Sequence, residues 1–230
     1  MAGYLSSLSF LDLAGRLPAS VAQGLFWGIV IDGQDVRGLP DFKRAPLIGR
    51  VFQDPMTGTA ATMQIDENLA LAARRGKRRG LKWKVTAKER EEYKEKLKVL
   101  NLGLEDRLTA KVGLLSGGQR QALTLLMATL VKPKVLLLDE HTAALDPKTA
   151  EKVLKATDRI VAEGKLTTIM VTHNMRDAIA HGNRLIMMND GKVVLDIKGE
   201  EKKKLTVEKL LHQFEVVSGE EFASDKAILG

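Results

Sequence analysis

Apolar and polar positions along this chain change rhythm several times, and each rhythm predicts an element. Short apolar runs at 28–32 and 47–52 stop at turn residues, Asp32 with Gly33 and then Gln53, Asp54 and Pro55, which predicts two strands. Ile65, Leu69, Leu71 and Ala72 recur at helical spacing and predict a helix over 65–75. Thr86 with Glu89 three residues on reads as a capping box that opens a charged helix to about residue 100. Ala122, Leu123, Leu125, Leu126, Ala128 and Leu130 predict a third helix, preceded by the small polar run 116–119.

The segment 134–139 is different: four apolar residues follow one another without alternation and end at Asp139 and Glu140. That is the pattern of a strand covered on both faces. Pro147 starts a helix to about 163, 167–172 is another apolar strand ending at His173, and 184–189 folds back on 192–197 through Asp190 and Gly191. An amphipathic helix over 205–214 is read as core, with a dimer contact or a regulatory tail as the alternatives. Strands alternating with helices predict an α/β fold with a mainly parallel sheet, interrupted at about 62–132 by a helical insertion. In such sheets ligand chemistry collects at the C-terminal ends of the strands.

With 230 residues, 44% hydrophobic, the chain is long enough to bury a real core, and no apolar run approaches the roughly 20 residues of a membrane span. The absence of cysteine excludes disulfides, thiolate zinc sites and a cysteine nucleophile, and fits a cytoplasmic protein. Asp12 and Arg16 interrupt the small apolar residues of 1–27, a poor fit to a secretory signal. The net charge of +7 points to anionic partners without choosing among them. Arg74, Arg75, Lys77, Arg78, Arg79, Lys82 and Lys84 surround Trp83, a cluster open to three readings: a solvated loop, a contact with anionic lipid, or a nucleic-acid surface.

Asp139 is placed to hold Mg²⁺ through water and Glu140 to accept a proton from an attacking water, although strand ends of this kind also merely cap the next helix. His173 can hydrogen-bond a terminal phosphate or be structural, and Gln53 can orient water, bind a metal or simply occupy a surface turn. Ser116 with Gly117 and Gly118 at a helix start forms a compact anion nest, completed by Gln119.

Taken in order, the runs 115–119, 136–140, 144–146 and 171–173 resemble the signature, Walker B, D-loop and switch histidine of ATP-binding cassette (ABC) ATPases. The resemblance covers about 28–230, leaves 1–27 unmatched, and implies a P-loop NTPase-like fold whose inserted helical subdomain follows Gln53 as the Q-loop. It also implies ATP and Mg²⁺, with Asp139 and Gln53 on the metal side, Glu140 as general base and His173 steadying the γ-phosphate. In this family two nucleotide-binding domains pair head to tail. Ser116, Gly117, Gly118 and Gln119 would then meet ATP held by the partner, homo- or heterodimeric, while Asp146 crosses the interface. Implied partners are transmembrane permease subunits and a substrate-binding protein, with the cassette peripheral on the inner face of the cell membrane. The absence of a fused membrane segment fits an importer, of the amino-acid type by the wording of 139–146, and no nucleic acid is expected.

One part of the pattern is missing. The phosphate cradle Gly-x-x-x-x-Gly-Lys-[Ser/Thr] belongs near residues 5–15, but the first lysine anywhere is Lys43, and Arg16 has no glycine-rich loop around it. Two readings stay open: a degenerate half-site that lends Ser116 and Gly118 to a competent partner, or a replaced sequence upstream of Gly28. A smaller departure is His141, where many relatives carry proline.

Overall fold

In the computed structural model the described residues are 29–77, 85–189 and 192–218. The segment 1–27, the basic residues around Trp83 from Arg78 to Lys84, and the Asp190-Gly191 turn lie outside them. The chain forms two compact units, one built from Ser9–Met170 and one that contains Val171–Gly230.

The first unit opens with a small antiparallel hairpin, β1 (Val30–Ile31) and β2 (Gln34–Asp35), shorter than the predicted strand. Asp32 and Gly33 turn it with φ of 52° and 78°, the left-handed pair that a two-residue hairpin loop needs. A single helical turn, α1 (Asp41–Arg44), leads into β3 (Ile48–Val51). The helical insertion follows: α2 (Ile65–Ala73), α3 (Ala87–Lys98), a 3-10 turn at Val112–Leu114 and α4 (Gly117–Leu130). The chain then returns to the sheet as β4 (Val135–Asp139), crosses through α5 (Pro147–Gly164) and adds β5 (Thr167–Val171).

The sheet has the order β3-β4-β5, so β4 is central. This explains its unbroken apolar run: Leu136, Leu137 and Leu138 are all buried. β3 and β4 are parallel, with Ile48 opposite Val135 and Val51 opposite Leu138. A side chain at Gly49 would come within 2.7 Å of the Ala128 carbonyl, so α4 approaches β3 this closely only because position 49 has none. Val51, Ile65, Leu69, Leu97, Leu123, Leu125, Leu136 and Leu138 belong to one apolar cluster, so insertion and sheet share a core.

The predicted capping box is present: Thr86 Oγ1 accepts from the Glu89 amide at 3.2 Å and Glu89 Oε2 from the Thr86 amide at 2.8 Å. Two residues of the basic cluster are spent inside the unit. The Arg75 guanidinium donates to the carbonyls of Ala128 (3.0 Å) and Val131 (2.8 Å), closing the end of α4, and Arg74 pairs with Glu89 at 3.3 Å.

The second unit holds α6 (Met175–Ala180), the antiparallel pair β6 (Arg184–Asn189) and β7 (Lys192–Lys198), a helical turn α7 (Glu200–Lys203) and α8 (Val207–Ser218). Lys202 donates to the carbonyls of Ile179 and His181, satisfying the end of α6. Leu210 of α8 is buried, in keeping with the predicted core role of that helix.

Candidate functional site

Because β3 and β4 run parallel, their C-terminal ends emerge together. Gln53, two residues past β3, therefore lies at the same end of the sheet as Asp139 and Glu140. A buried side chain fixes that end: Gln121 of α4 donates from Nε2 to the Phe52 carbonyl at 2.9 Å. The helix that begins at the small polar run is thus bonded to the turn that carries Gln53.

Glu140 is buried and sits at φ 43°, a left-handed conformation that non-glycine residues adopt mainly where surrounding structure imposes it. The imposition is visible on its C-terminal side. The Ala143 amide bonds to the Glu140 carbonyl at 3.0 Å, and the next residue, His141, is 1% exposed with Nε2 3.2 Å from Thr157 Oγ1. The Thr157 hydroxyl itself donates to the Val153 carbonyl at 2.9 Å, so the imidazole is the donor of the pair and carries its proton on Nε2. His141 thereby ties the segment after Glu140 to α5. Proline at this position could not make the bond.

Ser116 is the N-cap of α4. Its hydroxyl accepts from the Gln119 amide at 3.3 Å, and Gln119 Oε1 accepts from the Ser116 amide at 3.2 Å. Asp146 caps α5 in the same way, accepting from the Thr149 amide at 3.0 Å. Hydrogen bonds from Thr149 hold the Asp146 carboxyl below its ordinary pKa. The two helix starts adjoin: a side chain at Gly118 would collide with Thr149, and one at Gly117 would lie 3.5 Å from Leu145. Two positive helix ends therefore stand side by side, with Ser116 and Asp146 exposed on them.

A family model described as ABC transporter matches residues 23–143. A tyrosine transport ATP-binding protein of Clostridioides difficile is 49% identical over 187 residues, which is 81% of this chain and 74% of that protein. The chain belongs to the ABC transporter ATP-binding family.

Family membership makes it an ABC-type ATPase cassette. A spermidine/putrescine import ATP-binding protein of Haemophilus ducreyi is 34% identical over 73% of this chain and 42% of its own length. Among solved structures, the dimeric cassette MJ0796 in a post-hydrolysis state bound to ADP and Pi has a TM-score of 0.61 at 30% identity, covering 73% of this chain and 71% of that one. The cbiO1 subunit of Clostridium perfringens shares the fold, with a TM-score of 0.68 at 22% identity over 91% of this chain and 78% of that one.

Among the described residues no cluster of three or more His, Cys, Asp or Glu side chains stands ready to hold a metal. Asp139 and Gln53 offer oxygen donors from adjacent strand ends, which fits a magnesium ion that arrives on nucleotide phosphates and keeps most of its water. One contact opposes that fit in the cassette as it stands: Asp139 Oδ2 is 3.2 Å from a terminal nitrogen of Arg50.

His173 lies two residues past β5 in the second unit, just before Asn174, which caps α6. A role at a terminal phosphate rests on its place in the sequence alone. Sequence reasoning missed Arg50, Gln121 and Thr157. For Gln121 a signal existed, since it shares a helix face with Leu125 at i+4, a long polar residue on an otherwise apolar face.

Proposed function

We propose that this cassette couples ATP binding and hydrolysis to import through a partner permease at the inner face of the cell membrane, with amino acids as the cargo class. Supporting this reading is the placement of Gln53, Asp139 and Glu140 at the C-terminal ends of the parallel neighbours β3 and β4. The cargo class is supported by the similarity to a tyrosine transport ATP-binding protein and by the wording of 139–146. The proposed cassette spans 28–230, with 62–132 as its helical subdomain.

In this reading Glu140 takes the proton of the attacking water, from a backbone position that the Ala143 and His141 bonds hold fixed. Asp139 and Gln53 would hold a magnesium ion, which when bound would neutralise the charge that builds on the transferred phosphoryl group. Ser116, Gly117, Gly118 and Gln119 present the start of α4 to ATP seated on a second nucleotide-binding domain, and Asp146 faces that domain from the start of α5. His173 steadies the terminal phosphate. A substrate-binding protein delivers cargo outside, and nucleic acid has no place in the cycle.

A second reading has a specific observation in its favour: no lysine precedes Lys43. The chain would then hold little ATP itself and contribute Ser116 and Gly118 to a competent partner's site.

Uptake of labelled tyrosine by cells lacking the chain tests the proposal. Uptake should be lost, should return with a version carrying a glycine-rich lysine loop and its strand ahead of Gly28, and should not return when that version also carries Glu140→Gln. Unchanged uptake without the chain, or full rescue by Glu140→Gln, contradicts it.

A further inference from the structure

Gly49 faces α4 and Val51 is fully buried in the core, so the pleat turns Arg50 to the opposite face of β3. Its register partner on β4 is Leu137, and Asp139 lies two residues farther along the same face. The guanidinium reaches Asp139 Oδ2 at 3.2 Å, with side-chain exposures of 18% and 20%, and stacks 4.4 Å over the Phe52 ring. Only a terminal nitrogen engages the carboxylate. Arg50 Nε is buried and, among the described residues, has no hydrogen-bond partner. The pair is therefore held at a single point, not by the two-point fork that makes Arg–carboxylate pairs strong. A half-shielded position strengthens attraction between charges relative to open water, while single-point geometry leaves it displaceable.

We infer that Arg50 is the resident counter-ion of Asp139, and that a divalent cation reaches that carboxylate only by displacing the guanidinium. Phe52 gives the released guanidinium a place to rest, since a planar cation stacks on an aromatic face without a carboxylate. Arg50 thus sets how readily the site accepts metal. The inference rests on the proposed metal-side role of Asp139.

The test uses Mn²⁺ alone as the probe, with free Mn²⁺ counted by electron paramagnetic resonance against the purified full chain. Arg50→Met keeps an apolar stem over Phe52 and removes the charge. It should bind Mn²⁺ about three- to tenfold more tightly than wild type, and Asp139→Asn in that background should remove the gain. Arg50→Gln is the second variant with the same expectation, used if thermal melts show Arg50→Met unfolded. Equal or weaker Mn²⁺ binding by these variants, or no binding by any of the proteins, overturns the inference. Equal binding in wild type and Arg50→Met that Asp139→Asn lowers leaves Asp139 as a metal residue and removes only the role of Arg50. Mn²⁺ binding that Asp139→Asn never changes overturns both.

Discussion

Gln121 donates from Nε2 to the carbonyl of Phe52 at 2.9 Å, and this bond ties the helix capped by Ser116 to the turn that carries Gln53. Replacing Gln121 by Leu keeps the volume and leaves the Phe52 carbonyl without this donor. Losing this part-buried hydrogen bond costs about 0.5–1.5 kcal/mol, which urea denaturation of the two proteins should show as a lower midpoint with unchanged slope. Faster amide exchange at 53–54 should accompany it. An unchanged midpoint and unchanged exchange would mean that the bond does not join the two segments.

Gly118 and Thr149 make a second joint, between the starts of α4 and α5. Gly118→Ala drives a methyl into the Thr149 side chain and should destabilise the unit by about 1–3 kcal/mol. Thr149→Ser removes the obstructing methyl, so the double variant should recover most of the loss. A double-mutant cycle with no coupling would show that the collision is relieved some other way.

The His141–Thr157 pair predicts an asymmetric result. Thr157→Val preserves shape but removes the hydroxyl that the buried imidazole meets, at a cost of about 1–3 kcal/mol by chemical denaturation. Thr157→Ser keeps the acceptor and should cost less. Equal losses for the two variants would place the effect in packing and not in the hydrogen bond.

Asp146 predicts a dependence on pH. Its folded pKa is lowered by hydrogen bonds from Thr149, so the charged cap stabilises the fold above the unfolded pKa, about 3.9, and that contribution is lost as pH falls through the folded value. Asp146→Ala should lower the melting temperature at pH 7, Asp146→Asn less so because an amide oxygen still caps. The gap between wild type and Asp146→Asn should close on acidification below about pH 4. A gap that is constant from pH 7 to acid would contradict the assignment.

Much of this architecture was legible in the residues. The run 134–139 announced a strand buried on both faces, and β4 is the central strand of its sheet. Thr86 with Glu89, the run 116–119 and Pro147 marked three helix starts, and the structure caps them with the side chains of Thr86, Ser116 and Asp146. Hidden from the sequence were contacts made by non-neighbouring segments: Arg50 with Asp139, Gln121 with Phe52, and His141 with Thr157. Local patterns report which face a residue occupies, and they carry no information about which distant polar atom meets it. The strand expected over 28–32 is shorter in the structure, where Val30 and Ile31 pair with β2 and Asp32-Gly33 turn the chain back.

The central claim is that the residues from Gly28 onward form a working half of a shared ATP site, with the phosphate cradle as the missing piece. Calorimetric titration of Mg-ATP into the purified chain, beside a version with a glycine-rich lysine loop and its strand grafted ahead of Gly28, tests it most directly. The account predicts no measurable binding by the chain as it stands and micromolar binding by the graft. Micromolar binding by the ungrafted chain would contradict the missing cradle, and a graft that binds no ATP would contradict the site itself.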